Sequence, residues 1–273
     1  MERRKLIEEI KQKKSYLCIG LDTDDSKIPK HLRSSSKSVF EFNKQIIDAT
    51  KDLCVSYKIN TAFYEAMGMR GWEAMEQTVN YIPETHFKIA DAKRGDIGNS
   101  SSQYAKAFFE NLRFDAITVA PYMGEDSIRP FMEYENKWTI VLGLTSNKGA
   151  ADFEMQKLAG NENNFLYEKV ISTVSKWGSP DNLMFVTGAT QIQQLENIRK
   201  IIPEHFLLVP GVGFQGGSLH DVSNTAMNKD VGMLVNVSRA IIYAGDDENF
   251  AQEARTIAIQ YQSEMAGFLS EII

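Results

Sequence analysis

The sequence contains few cysteines and lacks any apolar run long enough to cross a membrane. Cys18 and Cys54 are the only cysteines in 273 residues, and they do not form a C-x-x-C pair. This argues against a disulfide framework or a zinc site and favours buried, reduced thiols. No apolar stretch approaches the roughly 20 residues that a transmembrane helix requires. The first 14 residues are charged and predict an amphipathic helix rather than a signal peptide, so we expect a cytoplasmic protein without membrane contact.

Basic residues are also in the minority. The chain has 30 Lys and Arg against 36 Asp and Glu, which gives a net charge of −6. Such a balance argues against non-specific nucleic-acid binding, although a few cations in one pocket could still bind an anionic substrate. His31, His86, His205 and His220 show no close ligand spacing, so we predict no metal site.

Eight short apolar segments recur along the chain, mostly bounded by Gly, Pro, Asp or Ser. They lie at residues 15–22, 55–60, 86–91, 116–120, 139–145, 183–189, 206–211 and 233–238. Segments of this kind are typical of buried parallel strands. Helical patterns alternate with them, most clearly at 38–54, 163–177 and 249–269, and Ser38 with Glu41 predicts a capping box at the first of these.

The spacing of these segments predicts the fold. A strand and the helix after it repeat about every 30 residues, which is the size of a strand with its crossover helix. Eight such units fit a closed (β/α)8 TIM barrel, an α/β fold that typically has about 250 residues. Length alone would also allow two domains, but no linker divides the chain. We predict one barrel domain over 1–273 that includes the N-terminal helix, with an open doubly wound sheet as the alternative.

Charged residues stand repeatedly at the ends of the predicted strands. Asp22 ends the first strand, and Lys58 lies near the end of the second. Asp91 ends the third strand, which runs on to Lys93, and Arg239 follows the eighth. A single polar residue there is what any solvated loop would show. Because the carboxyl ends of barrel strands meet at one rim, the repetition favours a site at that rim.

The stretch FKIADAKRGDIGNSS (87–101) carries the densest charge. If the strand stays extended to Lys93, the side chains of Asp91 and Lys93 point to one side, while Arg94 faces the other way, towards the helices or the surface. Asp96 lies beyond the strand. Lys58, Asp91, Lys93 and Asp96 would form a neutral quartet with two charges of each sign, which reduces the penalty of placing charges in a pocket.

A glycine-rich stretch, PGVGFQGG (210–217), follows the seventh strand. Its G-x-G-x-x-G pattern also occurs in dinucleotide sites, but the next strand ends without an acidic residue to hold a ribose. Loops after strands 7 and 8 of a barrel commonly bind phosphate. Gln215 could donate a hydrogen bond to it and Arg239 could supply charge, while a tight turn without a ligand remains the alternative.

These motifs together resemble a known family. DAKRGDI (91–97), with GLDTD, SYKIN, APYMGEDS, LTSN, PGVGFQGG and SRAIIY in the same order, resembles orotidine 5′-phosphate decarboxylases over about residues 15–245, most closely their longer, mainly bacterial branch. The resemblance implies a homodimer of (β/α)8 barrels that converts orotidine 5′-monophosphate to uridine 5′-monophosphate and CO₂. This is the last step of de novo pyrimidine nucleotide synthesis, and it needs no metal or cofactor.

The resemblance also implies roles for individual residues. Lys58, Asp91 and Lys93 would form the charged array of one subunit, and Asp96 would enter the site of its neighbour. Lys93 would stabilise and protonate a carbanion at C6. The implied substrate-binding residues are Asp22 and Lys58 for the ribose, Ser146 for the pyrimidine, Gln215 and Arg239 for the phosphate, and also Ile97, Ser100, Pro210 and Gly216.

Two rival functions remain open at this point. A Mg²⁺-dependent sugar-phosphate decarboxylase or synthase could use the same barrel, with its acidic residues holding the metal. A non-catalytic barrel could bind a phosphorylated ligand without releasing CO₂. Activity on orotidine 5′-monophosphate in the presence of EDTA distinguishes both from the expected enzyme.

Overall fold

A computed structural model describes residues 1–159, 164–213 and 216–271, and its strands form a closed barrel. Each strand pairs in parallel with the next, and β8 pairs with β1. The strands are β1 Leu17–Gly20, β2 Ser56–Asn60, β3 Phe87–Arg94, β4 Ala116–Val119, β5 Trp138–Leu144, β6 Leu183–Thr187, β7 Phe206–Pro210 and β8 Met233–Val237. The predicted (β/α)8 barrel is confirmed, and the open sheet is wrong because the first and last strands are hydrogen-bonded to each other.

Helices alternate with the strands and surround the barrel. They are α1 Arg3–Lys13, α2 Ser38–Thr50, α3 Thr61–Glu65, α4 Met69–Tyr81, α5 Gly98–Lys106, α6 Glu125–Met132, α7 Leu166–Val174, α8 Ile192–Ile201, α9 Leu219–Ala226, α10 Arg239–Ile242 and α11 Phe250–Leu269. Short 3₁₀ turns occur at Lys30–Leu32 and Lys148–Asp152, and a π-helical turn spans Ala107–Asn111. No helix in the described ranges is long and apolar enough to cross a bilayer.

The strands are apolar because both of their faces are covered. Inward side chains fill the barrel, and outward side chains pack under the helices, so the strand sequences read as continuous apolar runs. Phe87, Trp138 and Phe206 begin β3, β5 and β7, and the Trp138 ring centroid lies 5.7 Å and 6.0 Å from those of its two neighbours. These alternate strands therefore contribute one aromatic layer of the core. The buried apolar side chains form one cluster, and we propose that the chain is one domain.

The amino-terminal helix covers the end of the barrel at which the strands begin. Arg3 donates hydrogen bonds to the carbonyl oxygens of Pro180 and Glu204, both at 2.8 Å, and its guanidinium lies 5.1 Å from the ring centre of Phe206. The Trp138 indole N–H donates to the carbonyl oxygen of Met1 at 2.8 Å. The opposite end, where the strands finish, stays open.

Helix α2 departs from its predicted form at both ends. Ser38 is the first helical residue rather than the cap, and no side chain caps the helix at Lys37, so the predicted capping box is wrong. The Ser38 hydroxyl instead donates to Asp25 at 3.2 Å, outside the helix. The helix ends at Thr50, four residues before the predicted end, because the chain turns there into β2.

Candidate active site

A cavity of about 300 Å³ lies at the carboxyl ends of the strands. Leu142, Val186 and Leu208 supply part of an apolar wall, and charged residues lie on or directly after β1, β2, β3 and β8. The charged lining residues are Asp22, Lys58, Asp91, Lys93 and Arg239. Among the described lining residues, two acids and three bases leave an excess of positive charge, which favours an anionic ligand. The volume is that of a small-molecule site.

Four of these side chains form a continuous chain of ion pairs. The ammonium of Lys58 lies 3.2 Å from Asp22 Oδ1 and 3.0 Å from Asp91 Oδ2. The second oxygen of Asp91 lies 2.5 Å from the ammonium of Lys93. The sequence predicted an array of Lys58, Asp91 and Lys93, with Asp96 as the fourth charge. Within one chain, Asp22 takes that fourth place.

Burial and neighbouring charge act in opposite directions on the central pair. Burial by itself would raise the pKa of Asp91, but Lys58 and Lys93 outweigh it and hold that pKa far below its ordinary value. Burial would likewise lower the pKa of Lys58, but Asp22 and Asp91 outweigh it and raise that pKa well above its ordinary value. Both groups are therefore charged at neutral pH.

The end of β3 is not a regular strand. Ala90 pairs with Ile117 and Arg94 with Val119, so three residues of β3 lie opposite one residue of β4. Lys93 has φ 48°, in the left-handed region that non-glycine residues rarely adopt. The backbone therefore does not stay extended through Lys93, which was the condition under which the sequence places Asp91 and Lys93 on one side. The ammonium of Lys93 still reaches Asp91 because the bulge turns the chain back towards the cavity.

Arg94 faces away from the cavity, as the sequence predicts. Its guanidinium lies 5.3 Å from the ring centre of Tyr104 and 5.4 Å from that of Phe108, and it forms an ion pair with Glu65. The side chain therefore connects β3 to the surrounding helices rather than to a ligand.

The residues on both sides of Asp22 form buried hydrogen bonds. The carbonyl oxygen of Leu21 accepts a hydrogen bond from the Tyr64 hydroxyl at 3.0 Å, and the Thr23 hydroxyl donates to Asn43 Oδ1 at 2.6 Å. The amide nitrogen of Asn43 in turn donates to Tyr64 at 2.8 Å. This buried network fixes the backbone on each side of Asp22 before any ligand arrives.

Ser146 lines the cavity just after β5, as the resemblance implies. The preceding residue, Thr145, donates from its backbone N–H to Glu154 Oε2 at 2.7 Å and from its hydroxyl to Oε1 at 2.9 Å. On the other side Gly188 packs directly against Ser146, and a Cβ at position 188 would lie 2.8 Å from the Ser146 nitrogen. Glu154 and Gly188 therefore both constrain the backbone around Ser146.

We expect Gly188→Ala to lower the free energy of unfolding by about 1–3 kcal/mol, because the new methyl group meets backbone atoms that cannot move aside independently. Gly267→Ala is the control. Position 267 lies in α11, and an added Cβ there would meet nothing within 4 Å beyond its chain neighbours and the nearby helix backbone. Alanine there should therefore stabilise the helix by up to about 1 kcal/mol. Urea unfolding measures both, and equal stability of the two variants would contradict the prediction.

The predicted phosphate-binding residues lie at or after the ends of β7 and β8. Pro210 and Arg239 line the cavity, and Gly216 follows at φ 88°, a conformation suited to glycine. Gln215 lies outside the described residues. Ser238, next to Arg239, donates to the carbonyl oxygen of Gly20 on β1 at 2.9 Å. A Cβ at Gly20 would lie 2.7 Å from the Ser238 Cβ, so the glycine makes room for the serine.

Three predicted residues lie outside the cavity of their own chain. Asp96, Ile97 and Ser100 follow β3 and enter α5. Among the described residues, the Asp96 carboxylate accepts one hydrogen bond, from the backbone N–H of Ile97 at 2.8 Å. It forms no ion pair with a described lysine or arginine, and Ser100 is exposed.

Sequence reasoning missed two polar residues close to the charged chain. Thr118 on β4 is 1% exposed, and its hydroxyl touches both Asp91 and the backbone of Lys93. Asn236 on β8 lines the cavity. Thr118 interrupts the apolar strand segment AITV, and Asn236 interrupts MLVNV. A polar residue inside an otherwise apolar strand is the sequence signal that could have identified them.

No described residues suggest metal or thiol chemistry. No group of three or more His, Cys, Asp or Glu within the described ranges is arranged to hold a metal ion. Cys18 and Cys54 are free and buried, and burial raises the pKa of each thiol to about 12. A thiol with such a pKa is a poor nucleophile at neutral pH.

Comparisons with known proteins identify the family. The family model described as "Orotidine 5′-phosphate decarboxylase / HUMPS family" matches residues 15–254. The chain is 55% identical to an orotidine 5′-phosphate decarboxylase of Bacteroides fragilis (strain YCH46), with all of both chains covered. It is 56% identical to one of Flavobacterium johnsoniae, with 97% of each covered.

A solved structure agrees with this assignment. The chain superposes on the OMP decarboxylase of Leishmania donovani with a TM-score of 0.81 and 33% identity, covering 96% of this chain and 99% of that one. The family predicted from the sequence motifs is confirmed. This chain belongs to the orotidine 5′-phosphate decarboxylase / HUMPS family.

Proposed function

We propose that the chain decarboxylates orotidine 5′-monophosphate to uridine 5′-monophosphate and CO₂, the last step of de novo pyrimidine nucleotide synthesis. The observation that carries the proposal is the position of the Lys93 ammonium, 2.5 Å from Asp91 at the cavity, with Asp91 held on its other side by Lys58. Curated relatives over the full length bear this enzyme's name. Binding alone would not require such an array of fixed charges.

The chemical step needs a localised positive charge. When the bond between C6 and the carboxylate breaks, CO₂ leaves and its bonding electron pair stays on C6, where the ring π system cannot delocalise it. The Lys93 ammonium would lie against that pair, and its attraction grows as charge moves from the carboxylate to carbon. Lys93 then gives one proton to C6, which completes uridine 5′-monophosphate.

Asp91 would have two effects on this step. By accepting from Lys93 it holds the ammonium in place, and because its own pKa is strongly depressed it stays charged while doing so. It would also face the substrate carboxylate. Two unit charges about 4 Å apart at an effective dielectric constant of about 20 repel by about 4 kcal/mol. That repulsion helps only if it is relieved in the transition state, so we assign Asp91 mainly to positioning.

The remaining cavity residues would bind the rest of the nucleotide. Asp22 and Lys58 lie at the ends of β1 and β2, where they would contact the ribose, and Ser146 after β5 would contact the pyrimidine. Arg239, which follows β8, would surround the phosphate together with Pro210, Gln215 and Gly216, which come at or after the end of β7 in the sequence. The phosphate lies far from the reacting bond, so its binding energy would close the loops and exclude water.

We further propose a homodimer in which Asp96, Ile97 and Ser100 complete the neighbour's site. Ile97 is itself an exposed apolar side chain, at 55% exposure, and Tyr122, which follows β4, is 91% exposed. A Cβ at Gly95 would lie 3.6 Å from the Met123 side chain, so the segments after β3 and β4 form one surface. An exposed apolar surface of this kind marks an interaction site. A cytoplasmic location stays a prediction.

The experiment that tests the activity is direct. Purified protein is incubated with orotidine 5′-monophosphate in EDTA, and the ultraviolet spectrum is followed for conversion to uridine 5′-monophosphate. We expect full conversion. Turnover that EDTA abolishes and Mg²⁺ restores would favour the metal-dependent alternative, although Asp22 and Asp91 are already occupied by lysine ammonium groups. Nucleotide binding without CO₂ release would favour the non-catalytic alternative.

We expect Arg239→Ala to raise KM by about 10–100-fold, because a hydrogen bond to a charged group contributes about 1.5–3 kcal/mol, and to lower kcat as well, because loop closure depends on the phosphate. Arg113→Ala is the control, since Arg113 is exposed after the π-helical turn, away from the cavity. Steady-state kinetics measure both variants. Wild-type constants for Arg239→Ala would contradict the assignment.

A further inference from the structure

The strand ladder between β3 and β4 is interrupted at the residues that carry the charges. Pairing stops after Ala90 with Ile117 and resumes at Arg94 with Val119. Thr118 is the one residue of β4 that lies opposite the three intervening residues of β3. Regular backbone pairing cannot satisfy the backbone groups of those three residues. Some other group has to do so, because an unsatisfied buried N–H is costly.

The Thr118 side chain takes that place. Its hydroxyl oxygen accepts a hydrogen bond from the backbone N–H of Lys93 at 2.9 Å. The same hydroxyl donates its proton to Asp91 Oδ1 at 3.1 Å. One buried group therefore contacts both the main chain of Lys93 and the carboxylate that holds the Lys93 ammonium.

These two contacts constrain Lys93 from both ends. The backbone of Lys93 is in the left-handed region at φ 48°, which is unfavourable for lysine unless surrounding contacts hold it there. The Thr118 oxygen holds that backbone through the N–H. The Thr118 proton also orients Asp91, whose Oδ1 accepts from the Lys93 ammonium while Oδ2 accepts from Lys58. With Thr118 included, each oxygen of Asp91 has a fixed donor geometry.

We propose that Thr118 is a positioning residue that sets the location of the Lys93 ammonium in the cavity. It acts through the backbone of Lys93 and the carboxylate of Asp91 and does not touch the substrate. This inference rests on the proposed function, in which the Lys93 ammonium is the proton donor. A displacement of about 1 Å of a reacting group can reduce a rate by about 100-fold, so a lost hydroxyl should be measurable as lost turnover.

The chain offers a matched control for the loss of a buried strand hydroxyl. Thr139 on β5 is fully buried, and its hydroxyl has no hydrogen-bond partner among the residues that the structure describes. Thr139→Val therefore removes the same atom from the same kind of environment without removing a hydrogen bond. Any general effect of valine in a barrel strand should appear equally in Thr139→Val and Thr118→Val.

The test compares the variants Thr118→Val, Thr118→Ser and Thr139→Val. Steady-state turnover of orotidine 5′-monophosphate is measured for each variant, and the affinity for uridine 5′-monophosphate and the Tm are measured on the same preparations. We expect kcat of Thr118→Val to fall about 100-fold, while KM and product affinity change less than about 3-fold. Thr118→Ser keeps the hydroxyl and should stay within about 3-fold of wild-type kcat. Thr139→Val should have wild-type kcat.

Several outcomes would overturn the inference. Wild-type kcat in Thr118→Val would do so, as would a loss of kcat that serine does not restore. If Thr118→Val fails to fold while Thr139→Val folds, the hydroxyl has a structural role and the positioning role is wrong. A wild-type protein that releases no CO₂ defeats the proposed function itself, before Thr118 is changed, so the two failures are distinguishable.

Discussion

Lys93→Ala should abolish decarboxylation and leave the barrel folded. The ammonium is expected both to stabilise the carbanion at C6 and to protonate it, and each of these contributions is typically worth at least about 100-fold. We therefore expect kcat to fall by about 10⁴-fold or more. The side chain is half exposed, and its partner Asp91 keeps the Lys58 ammonium, so the variant should remain stable.

Lys14→Ala is a close control for this variant. Lys14 is also an exposed lysine in the left-handed region, at φ 49° against 48° for Lys93, but it follows α1 at the opposite end of the barrel. Both variants remove one positive charge and place alanine in the same backbone conformation. Steady-state kinetics measure the activity of both variants, and circular dichroism checks that both are folded. A Lys93→Ala enzyme that keeps more than about a hundredth of wild-type kcat would contradict the proposed role.

Asp96→Ala should also remove almost all activity, and mixing it with Lys93→Ala should restore part of it. If Asp96 completes the neighbour's site, a heterodimer of the two variants has one site with both defects and one site with none. After random exchange of subunits, half of the dimers are heterodimers, so activity should recover to about one quarter of the wild-type value. The two variants measured separately are the controls.

The same mixture distinguishes the shared site from a site within one chain. If Asp96 acted on the cavity of its own chain, every site in every dimer would carry one defect and no activity would return. Subunit exchange is verified by native mass spectrometry of differently tagged chains. A confirmed heterodimer without recovered activity would therefore defeat the shared-site proposal, even if both single variants are inactive.

The fold could be predicted because every strand of a barrel of this kind is buried on both faces. Eight apolar segments of similar length, separated by helical patterns, leave few other arrangements, and all eight strands occur where the sequence indicates. The errors concern local geometry. The end of α2 depends on where the chain turns towards β2. The capping box failed because the Ser38 hydroxyl donates to Asp25, and no local sequence pattern indicates a contact between residues that far apart.

The sequence indicated several residues that line the cavity, among them Asp22, Lys58, Asp91, Lys93 and Arg239, but it did not indicate the contacts that connect them. Alternating charge in DAKRGD indicates that Asp91 and Lys93 belong to one site, yet nothing in that stretch shows a bulge or a left-handed lysine. The bulge depends on β4, where a single threonine lies opposite three residues. Tyr64 and Asn43 contact the residues on either side of Asp22, and such long-range contacts cannot be inferred from sequence spacing.

The contact between Gly20 and Ser238 has a consequence for how the sequence can change. The two residues are 218 positions apart, yet the serine hydroxyl bonds the glycine carbonyl where the first and last strands join. A side chain at position 20 and a side chain at position 238 would occupy the same space. Among relatives, a larger residue at one of these positions should therefore accompany a smaller residue at the other. A relative with glycine at the position of Ser238 should tolerate alanine at the position of Gly20, which makes this pair a sensitive marker of how the barrel closes beside Arg239.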